Sequence, residues 1–592
     1  MSTAILIGPP VAMSPIEGDL RDLGFEVVAA EDAASLAERL HAVPAAERVA
    51  VVDRRFVGHV HALRLGLTDP RFDVSAVPGA VSVRPAARSA LVRALAAAGD
   101  GRDREEGLAD LLAEVLDKDG VAVHRPNLDV LVATVPVDAA GREHAEAAVA
   151  AVDDEAVRLR TAVKSRDGFF TTYFVSPYSR YIARWCARRG LTPNQVTTAS
   201  LLVALGAAAC AATGTRPGFI AAGVLLLASF VLDCTDGQLA RYSLQYSTLG
   251  AWLDATFDRA KEYAYYAGLA LGAARGGDDV WALALGAMAL QTCRHVVDFS
   301  YAETVRDAQD GAAAGALSQR LDRVGWTVWL RRMIVLPIGE RWALIAVLTA
   351  ATTPRITFTV LIAGCAFAAC YTMAGRVLRS LRHRAPAGEG SARALAQLAD
   401  TGPVAEGLAR LFRGRGLPVA ALLGAAVMIA TSLLAPVGSP WPLVAAGCYA
   451  LTSALAVAGP LKGALDWLVP PVFRAAEYGT ILVLAAVSDV NGALPAAFGL
   501  VAAVAYHHYD TVYRIRGGTG APPRALVRAT GGHEGRALLV TAAAAALAHN
   551  TGFTVALTVL AVALAVVVLT ESIGFWVSSQ APAVHDETGG PA

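Results

Sequence analysis

The chain has 592 residues, 55% of them hydrophobic and 17% charged, with a formal net charge of zero. That length exceeds one ordinary domain, and the apolar excess, with a mean hydropathy of +0.46, excludes a wholly soluble protein. The charge balance argues against a nucleic-acid partner, and seven Cys without a CxxC pair argue against a zinc or disulfide framework.

Residues 1–165 are polar enough for a soluble domain. Apolar runs at 4–7, 25–28, 49–52 and 130–135 predict strands, and 33–41 and 86–98 predict helices between them. This alternation implies an α/β layer domain. The start, MSTAILIGPP, lacks a charged stretch followed by a long apolar run, so no cleavable signal peptide is expected. Residues 138–163 read as one long charged helix leading to the membrane.

Apolar segments follow at about 196–214, 217–232, 250–273, 280–300, 340–353 and 356–376, predicting six membrane spans within a domain over 166–385. A polar linker over 386–402 leads into a second hydrophobic block, 403–578, also read as six spans, and a polar tail at 579–592 is expected to be disordered. The fold class is therefore a mainly α-helical polytopic membrane protein with a soluble α/β domain in front. Arg180, Arg184, Arg188 and Arg189 precede the first span, and Arg376, Arg379, Arg382, His383 and Arg384 follow the sixth. An even span count puts both clusters on one side, which the positive-inside rule makes cytoplasmic. That places the chain in the cell (inner) membrane with its N-terminal domain inside.

The two hydrophobic blocks share ordered matches. Ser176-Pro177, Ala183-Arg184 and Arg189-Gly190-Leu191 recur at equal spacing as Gly402-Pro403, Ala409-Arg410 and Arg415-Gly416-Leu417. Arg259 and Glu262 recur as Arg474 and Glu477, His295 and Asp298 as His507 and Asp510, and Arg341 and Phe358 as Arg536 and Phe553. An internal duplication is the reading.

Chemistry concentrates in Asp233-Cys-Thr-Asp236-Gly237-Gln-Leu-Ala240-Arg241, followed after eight residues by Gly250-Ala-Trp-Leu-Asp254-Ala-Thr-Phe-Asp258. Asp254 and Asp258 share a helical face, and Asp233 and Asp236 lie one turn apart on the preceding helix end. Four carboxylates brought together repel one another unless cations are bound. Hard oxygen ligands suit Mg²⁺, Mn²⁺ or Ca²⁺ and not zinc, and such a cluster suits diphosphate chemistry. Gly237, Ala240 and Gly250 are small enough to let a nucleotide approach the backbone. The plainer alternative is that the Asp residues pair with Arg241, Arg259 and Lys261. Arg294, Arg331, Arg332 and Arg341, with His295, are expected near the cytoplasmic helix ends. They are candidates for binding a phosphorylated acceptor or, equally, for contact with anionic lipid.

The pattern D-x2-D-G-x2-A-R-x8-G-x3-D-x3-D resembles the signature of the CDP-alcohol phosphotransferases (CDP-alcohol phosphatidyltransferases), over about residues 164–385. The resemblance implies a two-metal site (Mg²⁺ or Mn²⁺) ligated by Asp233, Asp236, Asp254 and Asp258. Asp258 would also be the general base, and Gly237, Ala240, Arg241 and Gly250 would line the CDP site. The implied reaction is attack of an alcohol or polyol-phosphate hydroxyl on a CDP-linked donor with release of CMP, in phospholipid or polyol-phosphodiester synthesis. It also implies homodimers, and the second block, which lacks the Asp set, reads as a catalytically dead copy that could serve as an internal partner. The N-terminal domain weakly resembles a sugar-phosphate nucleotidyltransferase, with Asp53 at a strand end. It lacks the Gly-rich basic loop such an enzyme needs, since Gly8-Pro9-Pro10-Val11-Ala12 follows the first strand. The alternatives are a bifunctional enzyme that also makes its CDP-polyol, and a non-catalytic membrane scaffold.

Overall fold

The computed structural model describes residues 2–11, 14–98, 107–164, 167–309, 335–382, 387–412, 414 and 416–578. Two compact units are present. One joins residues 1–165 with Tyr178–Pro193 and Thr235–Ser247; the other takes Arg166–Pro177, Asn194–Cys234 and Thr248–Ala592.

In the first unit the apolar runs near the N-terminus form strands β1 (Ser2–Ile7), β2 (Phe25–Ala30) and β3 (Arg48–Asp53), joined in parallel. The remaining strands of the sheet are β5 (Val74–Val77), β6 (Ala80–Val83) and β7 (Val123–His124), and the order is β2-β1-β3-β6-β5-β7. Two apolar layers flank it. Ile5, Val49, Val51 and Val81 face Leu91 and Leu112, while Ala4, Leu6 and Val52 face Leu20 and Leu63. That is the alternation a sheet covered on both faces requires. Helix Ala33–Ala42 starts where Asp32 and Ser35 form a reciprocal cap.

Two expectations are corrected here. The 130–135 run yields only β8 (Ala133–Thr134), paired with the two-residue β4 (Val57–Gly58) outside the main sheet. The single charged helix over 138–163 is two helices, Ala139–Ala150 and Asp154–Thr161. The break falls at Asp153, whose carboxylate accepts from the Glu155 and Ala156 amides and starts a new helix.

The second unit is helical. The first block supplies Pro193–Ala212, Arg216–Ser243 (as far as Cys234), Thr248–Arg275, Trp281–Gln309, Ile338–Ala351 and Pro354–Arg382. The second block supplies Val419–Leu434, Trp441–Ala456, Val469–Val487, Ala493–Arg516, Gly532–Leu547 and Gly552–Ser578. Five segments among the described residues are long and apolar enough to cross a membrane: Pro193–Ala212, Arg216–Ser243, Pro354–Arg382, Asp466–Val487 and Gly552–Ser578. Thr248–Arg275 is long enough, yet its charged first half lowers its hydropathy. Small residues let helices meet closely. A β-carbon on Gly268 or Gly272 would lie 2.4 or 2.0 Å from the Ala208 or Ala211 carbonyl oxygen, a small-xxx-small contact.

The matched Arg–Glu–Arg residues of the two blocks make matching contacts, whereas the matched Asp298 and Asp510 do not, pairing with Arg376 and Arg514. Arg259 Nη1 lies 2.7 Å from Glu262 Oε2, and Arg341 Nε 3.2 Å from Glu262 Oε1. In the second block Arg474 Nη1 lies 2.8 Å from Glu477 Oε2, and Arg536 Nε 2.5 Å from Glu477 Oε1. Phe358 and Phe553 are both fully buried. The blocks also pack on each other: Trp281 meets Phe498 edge-on at 5.6 Å, His295 lies 4.5 Å from Tyr509, and Trp252 stacks on Trp576 at 6.3 Å.

Candidate metal and nucleotide site

Asp233 and Asp236 stand one turn apart near the C-terminal end of Arg216–Ser243, and Asp254 and Asp258 one turn apart near the start of Thr248–Arg275. Asp233, Asp236 and Asp254 each offer a carboxylate oxygen within 4.8 Å of the others. Three hard anionic donors at that separation fit a divalent cation of the Mg²⁺ or Mn²⁺ type and do not resemble a zinc site.

Asp258 lies outside that trio. Its Oδ1 is 3.4 Å from the ammonium of Lys261, which also donates to Asp233. Lys261 is completely buried, so one cation is fixed between two partly buried carboxylates. The alternative pairing weighed from the sequence is therefore present for Lys261. Arg259 instead turns to Glu262, and also reaches the Tyr509 hydroxyl at 3.4 Å.

Arg241 lies on the same helix as the two Asp residues. A β-carbon added at Gly237 would stand 3.5 and 3.6 Å from the two terminal nitrogens of Arg241, so the guanidinium folds back along the helix against Gly237. Ala240 is buried on this helix, and Gly250 lies in the first turn of Thr248–Arg275.

Two of the candidate acceptor residues are described, and each has its own protein partner. Arg341 is buried against Glu262, whose other partners are Arg259 and the Tyr266 hydroxyl at 2.8 Å. Arg294 is buried, donates to the Val335 carbonyl, and lines an apolar cavity of about 240 Å³ together with Leu290, Val297, Met373 and Val472. Arg341 is not among that cavity's lining residues. Arg331 and Arg332, like the 579–592 tail, lie outside the described residues. In the N-terminal unit Asp53 does end β3, but its carboxylate receives the Arg55 amide at 2.9 Å and guanidinium nitrogens at 3.2 and 2.9 Å.

Sequence reasoning did not single out Tyr242, Arg158 and Glu155, which form a contact set directly after Arg241. Arg158 lies 3.6 Å over the Tyr242 ring, and the Tyr242 hydroxyl donates to Glu155.

Residues 190–369 match the CDP-alcohol phosphatidyltransferase family. This segment is a CDP-alcohol phosphatidyltransferase domain. Residues 389–592 match a family of unknown function, DUF5941. A bifunctional IPC transferase and DIPP synthase of Aquifex aeolicus is 32% identical over 114 residues, 19% of this chain and 26% of that protein. A phosphatidylinositol phosphate synthase of Mycolicibacterium smegmatis is 33% identical over 148 residues, 25% of this chain and 64% of that protein. An archaetidylinositol phosphate synthase of Pyrococcus horikoshii is 36% identical over 91 residues, 15% of this chain and 47% of that protein. The chain thus spans about a quarter of the bifunctional relative and less than two thirds of the other two. The phosphatidyltransferase domain covers the whole Asp233–Asp258 signature, and the DUF5941 match covers the second helical block. With its apolar helices, the chain is a multi-pass membrane protein.

Proposed function

We propose that this protein transfers a phospho-alcohol group from a CDP-alcohol donor to the hydroxyl of a polyol phosphate, releasing CMP, in phospholipid synthesis. The observation that carries this reading is the trio of carboxylates from Asp233, Asp236 and Asp254, within 4.8 Å of one another inside the phosphatidyltransferase domain. The acceptor class is supported by two relatives, an archaetidylinositol phosphate synthase and a phosphatidylinositol phosphate synthase.

Asp233, Asp236 and Asp254, with Asp258 beside them, would hold divalent metal. A divalent ion held there, Mg²⁺ or Mn²⁺, would supply charge neutralisation to the diphosphate and to the departing nucleotide. The protein's own groups do the rest. Arg241, laid against Gly237, presents a planar donor to the nucleotide's phosphates. Asp258 takes the proton of the acceptor hydroxyl. The hydroxyl oxygen bonds to the donor's β-phosphorus as the bond to CMP breaks, and CMP carries away the electron pair. Lys261 holds Asp258 and Asp233 in place between turnovers. Arg294 and Arg341, with Arg331 and Arg332, are proposed for the acceptor phosphate.

The domain division proposed is 1–165 as an α/β domain without nucleotidyl transfer, 166–385 as the catalytic bundle, and 403–578 as a second, non-catalytic bundle. The second bundle is proposed as an internal partner for the first, in a pseudo-dimer. The active site and N-terminal domain face the cytoplasm, a reading supported by Arg180, Arg184 and Arg188 ahead of Pro193–Ala212 and by Arg379 and Arg382 at the end of Pro354–Arg382.

The test is CMP release by purified protein in detergent with Mg²⁺ or Mn²⁺. CDP-diacylglycerol would be supplied with a panel of polyols and polyol phosphates. Acceptor-dependent CMP release is expected, with Asp258→Asn reducing it by about 10³-fold or more, the scale of losing a positioned base. Release that survives in Asp258→Asn removes Asp258 from its role. No release with any CDP-linked donor rejects the transferase reading.

A further inference from the structure

The segment Thr235–Ser247, which carries Asp236, Gly237, Ala240 and Arg241, belongs to the same compact unit as residues 1–165. The element that holds it is the last helix of the α/β domain, Asp154–Thr161. This helix is fixed at its start by the Asp153 cap and ends at Ala162. Ala162 lies where the helix's carbonyls point outward, a place that favours a cation. Its carbonyl oxygen accepts from Arg241 Nε at 2.5 Å. Arg241 is thereby gripped at Nε while its terminal nitrogens lie against Gly237 one turn back.

The next residue is gripped on both sides. The Arg158 guanidinium lies 3.6 Å over the Tyr242 ring, and its Nε donates to the Tyr242 carbonyl at 2.8 Å. The Tyr242 hydroxyl donates to the two Glu155 oxygens at 2.9 and 3.1 Å. Leu159, Ala162 and Tyr242 bury one another in a small apolar cluster. Burial and the neighbouring Arg64 push the Arg158 guanidinium down to about 10, so it remains charged at neutral pH. Farther on, Arg71 lies 4.1 Å over the Tyr246 ring.

The backbone between these contacts is strained. Leu244 is buried at φ +51, in the left-handed region that favours glycine, and the Gln245 amide bonds back to the Ala240 carbonyl to end the helix. A branched residue stays in that conformation only where its surroundings fix it. Here the fixing contacts at Tyr242 and Tyr246 come from the α/β domain.

We propose that the Asp154–Thr161 helix is a positioning element of the transferase site, setting the Arg241 guanidinium through Ala162, Arg158 and Glu155 and thereby the affinity for the CDP moiety. The inference rests on the reading of the site given above. It assigns the α/β domain a task in the reaction that needs no nucleotidyl transfer of its own. Arg158, Glu155 and Tyr242 are positioning residues, acting through Arg241.

The experiment uses the full chain in detergent with Mg²⁺. Equilibrium binding of CDP is measured by calorimetry, and donor and acceptor KM and kcat by CMP release. Arg158→Ala, Arg158→Lys and Tyr242→Phe are compared with wild type and with Arg125→Ala, an exposed control in the same domain. Arg158→Ala is expected to weaken CDP binding and raise the donor KM by about 10-fold, the scale of losing a buried cation–π contact and a charged hydrogen bond, with acceptor KM unchanged. Arg158→Lys should recover part of the loss, and Tyr242→Phe should lose about 3-fold through the hydroxyl bond alone. If Arg158→Ala does not fold, Arg158→Lys and Tyr242→Phe carry the comparison. Folded variants with wild-type CDP affinity and donor KM overturn the proposal. So does a loss that falls equally on both KM values together with a lower melting temperature, since that is mere anchoring. A wild-type protein that binds CDP but releases no CMP rejects the reaction, while the CDP affinities of the variants still decide the positioning role. Absence of CDP binding by wild type rejects both.

Discussion

Lys261 is the residue at which the two sequence readings of the Asp cluster meet. It is fully buried and touches Asp233 and Asp258, whose side chains remain 14% and 17% exposed. Replacing it by Met takes from two neighbouring carboxylates the cation they share. Breaking a fully buried pair costs about 3–5 kcal/mol, and the residual exposure here lowers that to roughly 2 kcal/mol. The expectation is a melting temperature several degrees lower for Lys261→Met in a chelator, and a larger recovery on adding Mg²⁺ or Mn²⁺ than wild type shows, because an added cation replaces the lost charge. Differential scanning fluorimetry with and without the ions checks this. An equal shift with and without them would remove the idea that metal and Lys261 serve the same carboxylates. The trio Asp233, Asp236 and Asp254 was legible in two steps: helical spacing puts Asp233 and Asp236 on one face, and the signature pattern ties Asp254 of the next helix to them. Tyr242, Arg158 and Glu155 were not, since their contacts span 84 and 87 residues of chain and leave no local pattern.

Among elements, the clearest signal read past was Val74-Ser-Ala-Val-Pro-Gly-Ala-Val-Ser-Val83. A Pro-Gly pair between two short apolar runs is a turn signal, and Gly79 does take φ +78 between β5 and β6. The break at Asp153 was also written locally, as Asp-Asp-Glu inside a run otherwise suited to helix. The 130–135 run shrank to β8 because only Val57–Gly58 lies beside it, so propensity had no ladder to extend. The duplicated Arg–Glu–Arg contacts, by contrast, follow the residues matched by spacing. In the second block that triad has a further partner: Asp400, from the linker, accepts from Arg536 at 2.7 Å and lies 3.4 Å from Arg474 and 3.2 Å from His507. Glu477 is fully buried between Arg474 and Arg536. Glu477→Gln leaves two buried guanidinium groups short of a carboxylate and is expected to destabilise the protein by about 3–5 kcal/mol. Chemical denaturation measures that loss, and the donor KM of the folded fraction should stay at the wild-type value. A shifted KM with unchanged stability would give the second block a part in the chemistry instead.

At the scale of the whole chain, the question is why a catalytic bundle carries a second bundle without the Asp set. The packing gives an answer through Trp281–Gln309. Val297 and Phe299 of that helix are buried in one core with Tyr449, Trp467 and Phe473, and Trp281 and His295 meet Phe498 and Tyr509. Arg259, on the helix that bears Asp254 and Asp258, lies 5.2 Å from the Tyr509 ring. Removing the second block therefore uncovers a large apolar face beside the site and takes away a ring that packs on a buried cation. Apolar faces of that kind are covered by a partner or by aggregation. A chain ending at Arg382 is expected to self-associate, as dimers or larger particles in light scattering, and to lose most CMP release, whereas the full chain is expected to run as a single protomer. Supplying residues 389–592 as a separate chain should restore activity if the second bundle is an internal partner. A truncated protein that is monomeric, folded and fully active would mean that the second bundle is not needed to complete the first.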